Sequence, residues 1–130
     1  MRLLLDTHIF LWWDRRPEKL PSRWLAALRD PTNTLLLSVA SVWEMQIKSH
    51  AGKLELGLPL AELMESQRLA NGIEVLPIQL AHVLALDELP PHHRDPFDRL
   101  VIAQANAEDL TLVRVDPVFA NYPVRLLGTV

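Results

Sequence analysis

The stretch Arg2-Leu-Leu-Leu-Asp6-Thr7 places three leucines directly before an acid. Aliphatic residues that follow one another without alternation are typical of a strand buried on both faces, as in a parallel sheet covered by helices. Ligands of such sheets bind beyond the carboxyl ends of the strands, so we expect Asp6 at the edge where a site would form. An acid that points inward there needs a cation, because a buried, unpaired charge is very costly.

Short aliphatic runs alternate with helical segments along the rest of the chain, which predicts a single α/β domain over residues 1–130. We expect a central parallel sheet of about five strands, flanked by helices. The strand candidates are Arg2–Leu5, Thr34–Leu37, Ile73–Leu76, Leu110–Val113 and Val124–Leu127. The helix candidates are Thr7–Asp14, Ser22–Arg29, Val39–His50, Leu60–Ala70, Gln79–Leu86 and Pro96–Ala107.

The composition excludes several classes of protein. With 49% hydrophobic and 22% charged residues, the chain is an ordinary globular sequence rather than a disordered one. It has no cysteine, which excludes disulfides and thiolate zinc sites. The net charge of −3 argues against a nucleic-acid binder held by a basic surface. Neither a signal-peptide pattern nor an apolar run of roughly 20 residues occurs, so we expect a cytoplasmic protein without a membrane partner.

Three further acids have positions that resemble that of Asp6. Glu44 and Asp98 each share a helical stripe with apolar residues, and Asp116 comes shortly after the fourth strand candidate. Carboxylate oxygens are the ligands that Mg²⁺ and Mn²⁺ prefer. The combination predicts a divalent-metal site made of Asp6, Glu44, Asp98 and Asp116, with Asp95 as an outer contributor.

Asp6 and Glu44 also have ordinary structural explanations. Asp6 precedes a helix and could cap its amino terminus. Glu44 could close a capping box with Ser41. The helix could equally begin at Ser38, which would place Glu44 deeper within it.

The remaining acids have structural alternatives as well. Asp95 is best explained as a helix cap, since Pro96 follows it. Asp98 would then favour the helix dipole, and Asp116 could begin a short terminal helix.

The basic residues and the tryptophans receive simpler interpretations. Arg94, Arg99 and Lys48 are near the acids and could contact phosphates, although solvated surface charge is the default for each. The absence of a helical His-x-x-x-His motif argues against zinc. The four tryptophans are expected to supply core area, and one member of the adjacent pair Trp12-Trp13 could mark a protein interface.

Four motifs, each of which contains at least one of the acids named above, follow one another along the chain. They are Leu3-Leu-Leu-Asp-Thr-His8, Ser38-Val-Ala-Ser-Val-Trp-Glu44, His93-Arg-Asp-Pro-Phe-Asp-Arg-Leu-Val-Ile-Ala-Gln-Ala105 and Leu112-Val-Arg-Val-Asp116. Together they closely resemble PIN-domain ribonucleases, in particular the VapC-like toxins of type II toxin–antitoxin pairs. The resemblance covers essentially the whole chain, and the third motif is its most specific part.

The resemblance implies a parallel-sheet domain with a Mg²⁺- or Mn²⁺-dependent endoribonuclease site. It also implies a homodimer and inhibition by a small cognate antitoxin, with a heterotetramer or larger assembly as the complex. The family's catalytic and metal-binding acids map onto Asp6, Glu44, Asp98 and Asp116, and Asp95 is the extra acid of this subgroup. As a hypothesis, the metal activates a water that attacks an RNA phosphodiester, the 3′ oxygen departs, and either Glu44 or hydroxide accepts the proton.

One position departs from the family pattern. Arg114 stands where such sequences usually carry threonine or serine, and it could contact phosphate, pair with an acid or hinder metal entry. With Thr7, Arg94 and Arg99 it completes the candidate substrate contacts.

Two rival functions remain open at this point. The chain could be a catalytically weak PIN-fold module that binds antitoxin or RNA without efficient cleavage. An aspartyl-phosphate phosphatase also begins with an acid at a strand end, but that chemistry normally has a second Asp where this chain has His8.

Overall fold

A four-stranded parallel sheet forms the centre of the protein in a computed structural model that describes residues 1–91, 95–114, 122 and 124–127. The strands are β1 (Arg2–Leu5), β2 (Thr34–Ser38), β3 (Glu74–Leu76) and β4 (Thr111–Val113), in the spatial order β3-β2-β1-β4. Leu4 of the central strand β1 pairs with Leu36 of β2 on one side and with Leu112 of β4 on the other. The predicted α/β class with a parallel sheet is confirmed.

Helices cover both faces of this sheet. They are α1 (Thr7–Arg15), α2 (Ser22–Arg29), α3 (Val39–His50), α4 (Leu60–Asn71), α5 (Leu80–Leu84) and α6 (Pro96–Ala107), with short 3₁₀ helices at Pro17–Lys19 and Ala85–Glu88. Leu3 and Leu5 belong to one buried cluster, whereas Leu4 packs in the other, on the side of α6. All three are fully buried, which explains why β1 is leucine throughout rather than alternating.

Several predicted bounds are off by one residue, and two predicted elements differ from the structure in kind. Val124–Leu127 was expected as a fifth strand, but it contributes a bridge in which Leu126 pairs with Leu112. The Leu112 N–H donates to the Arg125 carbonyl at 2.8 Å, and the Leu127 N–H donates to the Leu112 carbonyl at 2.9 Å. The helix expected over Gln79–Leu86 is α5 followed by a 3₁₀ turn, because the chain tightens before the Pro90-Pro91 pair, which cannot continue a helix.

Glycine ends α4 where the sequence predicts it. Gly72 has φ +67°, in the left-handed region, and its N–H donates to the Arg68 carbonyl at 3.1 Å. This is a common helix end, because glycine has no Cβ to clash in that conformation.

The tryptophans are only partly explained by core packing. Trp24 is buried, as predicted. Trp43 lies on the outer side of α3 and is 55% exposed. Trp43 meets Phe97 edge to face, with ring centroids 5.3 Å apart.

A buried chain of polar groups links β2 to α6 and α5. The Ser38 hydroxyl donates to Gln104 Oε1 at 2.5 Å, and Gln104 Nε2 lies 3.3 Å from His82 Nδ1. His82 Nδ1 accepts from the Gln79 N–H, so its other nitrogen, Nε2, carries the proton that it donates to Glu108 at 2.8 Å. Ser38, Gln104 and His82 are fully buried, and their mutual bonds offset the cost of removing them from water.

No helix in the described part of the chain is both long enough and apolar enough to cross a bilayer.

Leu4→Ala tests the importance of the central strand. Leu4 is fully buried in β1, so the substitution should lower the free energy of unfolding by about 2–5 kcal/mol through lost burial and a residual cavity. The same change at Leu69, which is 71% exposed on α4, should cost no more than about 0.5 kcal/mol. Urea denaturation followed by circular dichroism measures both, and equal losses would contradict the packing described above.

Candidate metal centre

The carboxyl ends of β1, β2 and β4 are neighbours, so the segments that follow these strands meet at one edge of the sheet. Asp6 follows β1, and its N–H donates to the carbonyl of Val113 at the end of β4 at 3.2 Å. Ser38 ends β2 and caps α3, since its hydroxyl accepts from the Ala40 N–H at 3.0 Å. Arg114 follows β4 directly. The neighbouring strands that the predicted site required are therefore present.

Asp6 and Asp98 converge on the guanidinium of Arg114. Its Nη1 donates to Asp6 Oδ1 and to Asp98 Oδ1, both at 2.8 Å, and Nη2 donates to Asp98 Oδ2 at 3.3 Å. The three side chains are 6%, 13% and 7% exposed respectively. One cation thus lies between the carboxylates of Asp6, which follows β1, and Asp98 in α6, although these residues are 92 positions apart in the sequence. Such charge-assisted bonds are stronger than neutral ones, particularly away from water.

Glu44 lies next to this pair and has its own partners. Thr7 Oγ1 donates to Glu44 Oε1 at 2.8 Å, and Lys48 Nζ donates to Oε2 at 2.9 Å. The side chain of Glu44 is 7% exposed and that of Lys48 is 43% exposed. Because Thr7 follows Asp6 in the chain, its hydroxyl ties Glu44 to the Asp6 end of the site.

The structure decides most of the capping alternatives. Asp6 precedes α1, but its side chain makes no capping hydrogen bond, so the interpretation of Asp6 as a cap is wrong. The capping-box interpretation of Glu44 is also wrong, since α3 begins at Val39 with Ser38 as its cap. Asp95 does cap α6: its Oδ1 accepts from the N–H groups of Phe97 at 2.9 Å and Asp98 at 3.2 Å.

Two further basic groups respond to the acids. The hydrogen bond to Glu44 raises the pKa of Lys48, and the charges of Asp95 and Asp98 raise it further. His8 Nδ1 lies 3.7 Å from Asp6 Oδ2. Hydrogen bonding to Asp6 is the largest cause that raises the pKa of His8, while partial burial opposes it. The edge is therefore a concentrated set of opposite charges rather than a group of bare acids.

The remaining predicted residues have the following positions. Asp116 and Arg94 lie outside the described residues. The Arg99 guanidinium donates to the carbonyls of Pro90 at 2.8 Å and Leu86 at 3.3 Å, so it holds the loop before α6. Phosphate contacts of Arg99 and Thr7 stay predictions.

Sequence reasoning gave too little weight to Lys48. It was considered as a phosphate contact or a solvated charge, whereas the structure pairs it with Glu44. The signal was available, because Lys48 follows Glu44 by four positions, the spacing at which helical ion pairs form.

The oxygen donors at this edge are those that Mg²⁺ or Mn²⁺ prefers, although in this structure the acids pair with Arg114. The oxygens of Asp6 and Asp98 that face one nitrogen are hard donors suited to either ion. Within residues 1–91, 95–114, 122 and 124–127, no group of three or more His, Asp or Glu side chains is arranged to hold an ion. If an ion bound at this edge, Asp6 and Asp98 would supply its ligands, and Glu44 lies beside them.

A family model described as PIN domain matches residues 3–124 of this chain, so the chain belongs to the PIN domain family. Among curated proteins it is similar to Ribonuclease VapC22 of Mycobacterium tuberculosis, with 27% identity over 115 residues, which is 88% of this chain and 86% of that protein.

Solved structures share the fold. A crystal structure of VapBC2 from Rickettsia felis, bound to a DNA fragment from its promoter, has a chain that matches with a TM-score of 0.74 and 20% identity over 98% of both chains. A chain of DNA-bound VapBC from Salmonella typhimurium matches with a TM-score of 0.67 and 16% identity, over 98% of this chain and 97% of that one. At these identities the likeness concerns the fold.

Replacing His8 by Gln tests the charge pairing at Asp6. Because the pKa of His8 is raised above its usual 6.5 in the folded state, the interaction stabilises the protein fully below pH 6.5 and is lost as the pH rises through the folded pKa. The stability gap between the native protein and the variant should therefore be larger at pH 5.5 than at pH 8.5.

Urea denaturation in the presence of EDTA measures this gap without a contribution from metal. The control is Asp6→Asn, in whose background the stability gap caused by His8→Gln should no longer grow as the pH falls, because only the causes that lower the pKa of His8 remain. A gap that grows with pH would contradict the proposed cause.

Proposed function

We propose that this protein is a Mg²⁺- or Mn²⁺-dependent endoribonuclease that acts as the toxin of a type II toxin–antitoxin system. The observation that carries the proposal is the convergence of Asp6, which is buried, and Asp98, whose side chain is 13% exposed, on one cation at the carboxyl edge of the sheet. Membership of the PIN family and the similarity to a relative named as a ribonuclease support RNA as the substrate.

Asp6, Glu44, Asp98 and Asp116 are the residues proposed to hold the ion, with Asp95 as an outer contributor. When bound, a divalent ion supplies activation of water at neutral pH and neutralisation of charge on the phosphate. Asp95 already spends one oxygen on the cap of α6, so its proposed role is to fix Asp98 at the start of that helix.

Glu44 is proposed to accept a proton from the attacking water. Lys48 donates to one oxygen of Glu44 at 2.9 Å, and Thr7 donates to the other at 2.8 Å, so the two bonds fix the orientation of the carboxylate. The water oxygen forms a bond to phosphorus, the bond from phosphorus to the 3′ oxygen breaks, and that oxygen takes a proton from solvent, so the products carry a 5′ phosphate and a 3′ hydroxyl.

Contacts to RNA must be local, because the chain has a net charge of −3. Thr7, Arg94, Arg99 and Arg114 are the proposed phosphate contacts. Arg99 and Arg114 would exchange bonds that they make within the protein for bonds to the substrate.

A homodimer and a small cognate antitoxin are the proposed partners, joined in a heterotetramer or a larger assembly, and the cytoplasm is the proposed site of action. Chains of VapBC assemblies that share this fold support an antitoxin partner. The chain has a mass of 14.8 kDa, so light scattering of the isolated protein should give twice this value. A monomeric mass at micromolar concentration would contradict the dimer.

Asp6→Asn and Asp98→Asn test the nuclease activity. Each removes one anionic ligand while preserving the shape of the side chain, so cleavage of single-stranded RNA with Mn²⁺ should fall by at least about 100-fold. Asp109→Asn is the matched control, because Asp109 lies before β4 at the opposite edge of the sheet and has φ +54°, which Asn tolerates.

Gel assays with a labelled RNA follow the cleavage, and circular dichroism checks that all three variants fold. Undiminished cleavage by Asp6→Asn and Asp98→Asn would overturn the assignment. Loss of activity in Asp109→Asn as well would point to a general effect on the fold.

A further inference from the structure

Arg114 has the contacts that a metal ion at this edge would have. Its Nη1 lies 2.8 Å from an oxygen of Asp6 and 2.8 Å from an oxygen of Asp98, and its side chain is 7% exposed. The position between these two oxygens is therefore filled by a cation that belongs to the chain itself.

A guanidinium and a divalent ion cannot share this position. Mg²⁺ needs its oxygen ligands at about 2.0–2.1 Å, so an ion that binds Oδ1 of both Asp6 and Asp98 must lie where Nη1 of Arg114 lies. The two cations would also repel each other across a poorly solvated gap. Binding of the ion between these two oxygens thus requires that Nη1 of Arg114 leave them.

The backbone allows such a movement. Arg114 follows β4 directly, and the last residue of β4, Val113, pairs with Leu5 of β1. A change of rotamer in the arginine side chain acts beyond its Cβ, so it leaves the pairing of the β4 backbone with β1 in place.

We propose that Arg114 is an internal counter-ion of the metal centre, which the divalent ion must displace. The proposal rests on the metal-dependent function proposed above. Arg114 stabilises the metal-free protein by pairing with Asp6 and Asp98, and it weakens metal binding by competing for the same oxygens. The displaced guanidinium is then free to meet a phosphate.

Arg114→Thr removes the competitor and leaves a short polar side chain. Arg125→Thr is the matched control, because Arg125 pairs with the exposed Asp109 at 3.0 Å, away from the acids. Isothermal titration calorimetry with MnCl₂ and no RNA should show that Arg114→Thr binds Mn²⁺ at least about tenfold more tightly than the native protein. Arg125→Thr should bind like the native protein.

Thermal unfolding gives a second signature. Without metal, Arg114→Thr should melt at a lower temperature than the native protein, because the carboxylates of Asp6 and Asp98 lose their cation in a poorly solvated site. Saturating Mn²⁺ should raise the melting temperature of Arg114→Thr more than that of the native protein, since no internal bonds are broken on binding.

The native protein provides a test that needs no substitution. The side-chain ¹⁵N–¹H signals of Arg114, assigned by comparison with Arg114→Lys, should shift and exchange faster with water as Mg²⁺ is added. Unchanged Arg114 signals at saturating Mg²⁺ would overturn the proposal even if Arg114→Thr failed to fold.

The calorimetric outcomes separate this proposal from the function on which it rests. Equal or weaker Mn²⁺ binding by Arg114→Thr, with binding by the native protein, would overturn the counter-ion role and leave the metal-dependent function standing. Absence of Mn²⁺ binding in both proteins at millimolar concentration would overturn the two together.

Discussion

Two carboxylates that face each other with little access to water need a positive charge between them, and the arrangement of the carboxyl edge of the sheet follows from this requirement. Asp6 and Asp98 meet it through Arg114, with both shortest contacts at 2.8 Å. The strand order brings the ends of β1 and β4 together, and the cap at Asp95 starts α6 where Asp98 can reach the same nitrogen. Breaking such a pair leaves an uncompensated buried charge, which typically costs about 3–5 kcal/mol. Local capping, strand register and site electrostatics therefore depend on one another.

The sequence was sufficient for most of the fold because its local signals agree with the global one. The leucine runs identify β1 and β2, and Gly72 marks the end of α4. The bounds of Ser22–Arg29, Val39–His50 and Pro96–Ala107 were predicted as the structure has them. The prediction of a fifth strand at Val124–Leu127 was wrong, although the segment has the composition of a strand. How far a segment pairs at a sheet edge depends on tertiary contacts, which composition does not report.

The site was predicted less completely, for a physical reason. Residue type identified Asp6, Glu44 and Asp98 as acids at strand ends or inward helix faces, and the structure brings them to one edge. Three roles remained open for Arg114, because a long cation can reach phosphate, solvent or an acid with similar ease. Only the positions of Asp6 and Asp98 around it decide that it pairs with acids in the described structure.

The polar chain from Ser38 through Gln104 to His82 has a mechanical consequence for the acid at the other end of α6. Gln104 lies six residues after Asp98, a separation of about 9 Å along the helix axis at 1.5 Å per residue. Sliding α6 by one residue would turn every side chain by roughly 100° and break the 2.5 Å bond between Ser38 and Gln104. Because Ser38 is the last residue of β2, this bond fixes the position of α6 along the sheet. The orientation of Asp98 is thus fixed by hydrogen bonds made about 1.7 turns further along the helix.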